Sequence, residues 1–152
     1  MKQFSAINDL VGKEFLVTDW LPITQERVNT FAEATGDHQW LHTDVERAKR
    51  ESPYGGTIAH GLLTLSLLPS FTVPYFRDYG VGRAINYGYE KVRFAAPVLV
   101  GSKLRARYVL KEAAKIPDGG LRLNTVVTVE ADNQAKPVCI AETVSLVFPT
   151  KA

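Results

Sequence analysis

The sequence predicts an α+β domain, with helices first and an antiparallel sheet after them. Three observations carry this. Helix caps and helical spacing are confined to the first half of the chain. One stretch, Ile58 to Phe76, is apolar at nearly every position. From Arg83 onward, apolar and polar residues alternate with a period of two. A helix that is apolar all round is normally buried on all sides, so the Ile58–Phe76 stretch is expected at the centre of the fold. It does not read as a membrane span, because His60, Thr64, Ser66, Ser70 and Thr72 interrupt it and Pro69 and Pro74 are expected to break it.

The elements follow in order. Phe4, Ile7 and Leu10 suit a short helical turn that Gly12 ends. The run to Ile23 reads as a strand or extended lead-in. Thr24 caps a helix with Val28, Phe31 and Ala32 on one face, and Gly36 is placed to end it. Asp37 to Leu41 then reads as loop. Thr43-Asp44-Val45-Glu46 matches a capping box and opens a second short helix, which Pro53 to Gly56 breaks. The apolar helix comes next and carries His60-Gly61 in its first turn. After a polar connection from Arg77 to Gly82, four strands are expected. These are Ala84–Phe94, Lys103–Leu110, Leu121–Asp132 and Val138–Phe148, with turns at Pro97–Gly101, Pro117–Gly120 and Asp132–Pro137. In the third, Leu121, Leu123, Val127 and Val129 share a face. Such a series reads as a meander. No repeat, linker or low-complexity segment divides residues 1–152, so one domain is expected. An antiparallel sheet wrapped around a central apolar helix is the hotdog arrangement. Sheet edges left open in so small a domain favour pairing into a homodimer.

Composition narrows the function. The chain has 152 residues, 45% hydrophobic and 22% charged, which is ordinary for a globular protein. Its net charge of +2, with Lys and Arg scattered, argues against a nucleic-acid partner. A single cysteine, Cys139, excludes an internal disulfide and a cysteine-rich metal site, and its apolar surroundings suit an inert buried thiol. The first ten residues hold no apolar signal core, so a cytoplasmic location and no membrane partner are expected.

The chemistry-bearing residues gather around the start of the apolar helix. Asp37 and His42 lie five residues apart, just upstream of His60-Gly61. A carboxylate and an imidazole can hold a water molecule and exchange protons with it. A backbone N–H at a helix N-terminus can stabilise an oxyanion. By spacing alone this is a weak signal, because an Asp after a helix C-terminal Gly is more often an ordinary turn residue.

Two blocks carry a resemblance. FAEATGDHQWLHTDVERAKRESPYGGTIAHGLLTLSLLP and INYGYEKVRFAAPVLVGSKLRA resemble the signature of the MaoC-like (R)-specific enoyl-CoA hydratases and dehydratases, closest to the NodN-like branch. The resemblance spans roughly residues 24–110 and implies a hotdog fold and a role in fatty acid metabolism. It implies that Asp37 and His42 are the catalytic pair, with Asp37 as base and His42 as acid, and that the Gly61 N–H is the oxyanion donor. The implied reaction is reversible hydration of a trans-2-enoyl-CoA to an (R)-3-hydroxyacyl-CoA, with no metal and no cofactor beyond the coenzyme A of the substrate. Gln39-Trp40 stands where most of the family has Asn-Pro, so Trp40 is expected to wall the acyl site. His60, Asn86 and Ser66 are the other candidate substrate-binding residues, and His60 is also suited to orienting the loop. Lys91, Arg93, Lys103 and Arg105 suit CoA phosphates or a plain solvated face.

Two rival readings remain at this point. A hotdog thioesterase would typically place a carboxylate on the central helix, and no Asp or Glu lies between Gly61 and Arg77. A non-catalytic acyl-CoA-binding module would have little reason to hold both Asp37 and His42 at this spacing.

Overall fold

The computed structural model describes residues 2–150. A 3-10 helix over Phe4–Leu10 leads into β1 (Glu14–Val17) and β2 (Leu21–Pro22). Three short helices follow, α1 (Gln25–Thr35), α2 (Trp40–Thr43) and α3 (Val45–Glu51), and then α4 (Gly61–Arg77). The chain ends in β3 (Val81–Phe94), β4 (Lys103–Lys115), β5 (Leu121–Ala131) and β6 (Cys139–Pro149). Local chemistry sets the helix ends as expected. The Thr24 hydroxyl accepts from Arg27 N–H at the start of α1, and Gly36 ends it at φ 78°, a conformation glycine adopts without strain. The cap of α3 is Asp44 rather than Thr43, its carboxylate accepting from Arg47 N–H at 2.9 Å.

The sheet is antiparallel in the order β1-β4-β5-β6-β3, and β2 continues β1 along the same edge of β4. β4, β5 and β6 form the expected meander. β3 departs from it. It pairs with β6, from Phe94 opposite Cys139 to Val81 opposite Pro149, so residues 95–102 must cross from one side of the sheet to the other. That crossing packs over the centre of the fold. Ala59 N–H donates to the Val98 carbonyl at 2.8 Å, and Val100 N–H donates to the Thr57 carbonyl at 3.0 Å.

Helix α4 lies on the inner face of this sheet, which is the hotdog arrangement. Its first half packs with Leu63, Leu67 and Leu68 against Ala106, Val127 and Ala141, and its last turn packs Phe76 against Leu121, Leu123 and Val147. Burial of such side chains stabilises by roughly 1.5–3 kcal/mol each. That outweighs the cost of Pro69 and Pro74, about 3 kcal/mol apiece, and α4 runs unbroken through both. Pro74 and Ser70, whose carbonyl Pro74 leaves without a helical donor, both lie on the exposed side of α4.

Burial on all sides does not hold. Leu62 is 61% exposed and Val73 is 45% exposed, and with Ser66 and Ser70 they form an uncovered stripe along one face of α4. The edge strand β3 is exposed over most of its length, including Ile85, Tyr87, Val92 and Phe94. The expected inert thiol is found, with Cys139 fully buried and burial pushing its pKa up to about 11. No described helix is long and apolar enough to cross a membrane.

Candidate active site

The site is assembled where α1, α2 and α4 begin or end. Gly36 turns the chain out of α1 and delivers Asp37 to the surface, where its carboxylate is 57% exposed. Gln39 N–H lies 3.4 Å from Asp37 Oδ1. The single helical turn α2 takes up the end of the expected Asp37–Leu41 loop and carries His42, which is buried. The loop is therefore shorter, Gly36 to Gln39.

Backbone carbonyls orient both imidazoles. His42 Nδ1 donates to the Ile58 carbonyl at 2.7 Å. A carbonyl can only accept, so the proton of neutral His42 sits on Nδ1 and its Nε2 keeps a free lone pair. His60 caps α4 and is 3% exposed. Its Nε2 donates to the Asp37 backbone carbonyl at 2.9 Å and lies 3.9 Å from the Asp37 carboxylate. The two rings stack 3.8 Å apart at 28°, and Phe31 packs on His60 at 5.0 Å. His60, expected among substrate-binding residues, reaches no open surface. It holds the Asp37 loop and the His42 ring in place.

Asp37, His42 and His60 are also the described residues that bring metal-ligating atoms together, all within 4.8 Å. With its Nε2 proton donated to the Asp37 carbonyl, neutral His60 keeps its lone pair on Nδ1, a buried atom with no hydrogen-bond partner among the described residues.

Gly61 is the first residue of α4, so its N–H is one of those a helix leaves without an internal partner. The helix dipole adds partial positive charge there. The glycine is required by a close approach. A Cβ on Gly61 would lie 2.9 Å from the Phe94 ring carbons of β3. The first group that a larger residue here would meet is therefore Phe94. Nothing in the sequence pairs those two positions.

The remaining candidates are dispersed. Trp40 lies under the Arg47 guanidinium, 4.4 Å from its ring centre, and does not line the cavity beneath α4. The Ser66 hydroxyl donates to the Leu62 carbonyl on the uncovered face. Asn86 does line that cavity, with Nδ2 donating to Tyr89 Oη at 3.2 Å. Arg105 donates to Glu130 at 2.6 Å, and its guanidinium lies 4.6 Å from the Trp20 ring centre, so its charge is already paired. That bond, with a second from Arg107, holds the Glu130 carboxyl below its usual range.

With this geometry in view, the comparisons are specific. The profile of the MaoC like domain matches residues 7–135. The chain belongs to the MaoC-like dehydratase family. It is 47% identical over 147 residues to 3-hydroxyacyl-thioester dehydratase Z of Mycobacterium tuberculosis, covering 95% of this chain and 97% of that protein. It is 42% identical over 145 residues to Nodulation protein N of Rhizobium meliloti, covering 93% and 89%. Among solved structures, the monoamine oxidase regulatory protein of Archaeoglobus fulgidus matches with a TM-score of 0.76 at 26% identity, covering 93% and 92%.

Phe94 is 44% exposed, so its ring has room to yield. Gly61→Ala keeps the N–H and is expected to lower activity through displacement of that ring. Phe94→Ala is expected to restore most of the loss in the double variant. Rates of the two single variants and the double variant measure this coupling, and simple additivity would contradict the contact.

Proposed function

We propose that the protein catalyses the reversible hydration of trans-2-enoyl-CoA to (R)-3-hydroxyacyl-CoA. The observation that carries this is the convergence, at one helix end, of an exposed carboxylate, an imidazole of defined tautomer and an unpartnered N–H. The thioester carbonyl would accept from Gly61 N–H, which draws electron density from the conjugated double bond and leaves C3 electrophilic. Asp37 and His42 would hold a water molecule between them. As its oxygen bonds to C3, the pair takes one proton, and one proton is returned to C2. The elements of water add across the double bond and the pair ends as it began. Because Ile58 engages Nδ1, the atom of His42 that exchanges protons would be Nε2. Asp37 as base suits its open carboxylate, and His42 as acid then acts from its imidazolium form. The (R) outcome rests on family membership. A coenzyme A thioester as substrate supports a cytoplasmic setting.

The test is purified protein with crotonyl-CoA, following loss of the conjugated double bond and release of free thiol separately. Hydration without thiol release is expected. Asp37→Asn and His42→Asn should each lower the rate ~10²–10⁴-fold, and the double variant should be little worse than either. Thiol release would instead mark a thioesterase. Wild-type rates in both variants would remove this site.

We further propose a homodimer joined along β3. That strand pairs on one side only, and its Ile85, Tyr87, Val92 and Phe94 are exposed, as is Leu62 of α4. Light scattering at micromolar concentration should return twice the 16.8 kDa of one chain. A monomer mass would contradict it.

A further inference from the structure

A cavity of about 250 Å³ lies between the second half of α4 and the inner face of the sheet. It separates the two apolar clusters of the core. Beneath the first half of α4 the inner rows of β5 and β6 are apolar, with Val127, Val129, Cys139 and Ala141. Beneath its end they are apolar again, with Leu121, Leu123 and Val147. Between these, the same rows change to Thr125, Thr143 and Ser145, and all three line the cavity. Asn86 and Tyr89 of β3 close one side, and Thr72 of α4 faces them.

A buried hydroxyl without a partner is costly, and a sheet that only needed to pack a helix would place valine or alanine there. Thr125 is 6% exposed. Ser145 is half-buried, and among the described residues neither hydroxyl bonds to a protein group; both residues line the cavity, so filling it with an apolar chain is what would leave them unpartnered. Tyr89 Oη accepts from Asn86 and keeps its own proton to donate. No carboxylate lines the cavity, and its charged groups, Arg77 and Arg83, are exposed. Arg83 lies 4.1 Å from the Phe148 ring centre. The floor is therefore neutral and able both to donate and to accept.

The position relates to the catalytic end. The uncovered stripe Leu62, Ser66 and Val73 leads along α4 from Gly61 to the cavity, which Val73 lines. From Gly61 to Thr72 the helix rises roughly 16 Å at 1.5 Å per residue. An extended chain covers about 1.2 Å per bond, so an acyl chain held at Gly61 would reach this floor at about C12–C15.

We propose that this band is a subsite for the distal part of the acyl chain, and that the preferred substrate is a long-chain acyl thioester bearing a neutral oxygen, a hydroxyl or a ketone, at that depth. This rests on the hydratase reading above, with Gly61 holding the thioester. An unsubstituted chain would leave the Thr125 and Ser145 hydroxyls without partners, whereas an oxygenated one satisfies them.

The test compares trans-2-hexadecenoyl-CoA with its 14-hydroxy and ω-carboxy analogues, with crotonyl-CoA as a short reference. The 14-hydroxy substrate is expected to have a kcat/KM roughly tenfold above the unsubstituted one, the scale of one added hydrogen bond. In Thr125→Val/Ser145→Ala, or in Ser145→Ala alone if the double variant melts early, that ratio should fall towards one. Equal or better use of the unsubstituted chain by the wild type overturns the proposal. So does a preference for the ω-carboxylate, which would assign the cavity to Arg77 and Arg83. Failure to hydrate any of these thioesters, long or short, would instead sink the hydratase reading. Calorimetric binding of the same C16 thioesters to Asp37→Asn then decides the subsite separately, by whether the 14-hydroxy chain binds more tightly.

Discussion

The site depends on one short extended segment, Thr57 to His60, and on the hydrogen bonds that pin it. Ile58 N–H donates to the Leu41 carbonyl, and the Ile58 carbonyl accepts from His42. From the other side, Ala59 N–H donates to Val98, and Thr57 accepts from Val100. The Thr57 hydroxyl adds a 2.6 Å bond to Gln25 of α1, whose amide also donates to the His42 carbonyl. The segment thus ties α1, α2 and the crossing strand connection together. It sets the tautomer of His42, the seat of His60 and the entry angle of α4 at once. Each such bond adds only about 1 kcal/mol of net stability, but breaking one would leave a buried polar group unpaired.

These bonds go together with the strand order, in which β3 pairs with β6 and not with β4. The eight-residue crossing from Phe94 to Lys103 is what brings Val98 and Val100 onto Thr57 and Ala59. The crossing leaves β3 at an edge with one partner, and it carries Phe94 to within contact of Gly61. The same topology that anchors the Asp37 loop exposes the edge and the uncovered face of α4.

Features governed by neighbours in the chain were legible from the sequence. Thr24 and Gly36 bound α1 because caps are local chemistry, and the alternation in β4 and β5 shows which face is inward. Asp37, His42 and Gly61 could be singled out because the two blocks that carry the family resemblance are continuous in the chain, whereas their spacing alone favoured an ordinary turn. What depended on distant contacts was not legible. Pro69 and Pro74 read as breaks, yet burial of α4 overrides them. The α2 turn was missed because four residues carry no periodicity. His60 read as a substrate contact, although its partners, Phe31 and the Asp37 carbonyl, appear only in three dimensions. One signal was present and passed over. The shared face of β5 runs Leu121, Leu123, Val127, Val129, and the gap in that series is Thr125.

The central claim is that the first N–H of α4 stabilises charge on the thioester oxygen. Gly61→Pro removes that N–H. His60 already has ψ 136°, the conformation that a following proline requires, and proline is accommodated at a first helical position. Gly61→Ala, which adds a Cβ but keeps the N–H, is the matched control, and both are best compared in a Phe94→Ala background to remove the 2.9 Å contact. With folding verified by circular dichroism and melting, the proline variant is expected to hydrate crotonyl-CoA at least ~10²-fold more slowly than the alanine variant, the scale for loss of one oxyanion donor. Equal rates in the two folded variants would contradict the claim and locate the oxyanion elsewhere.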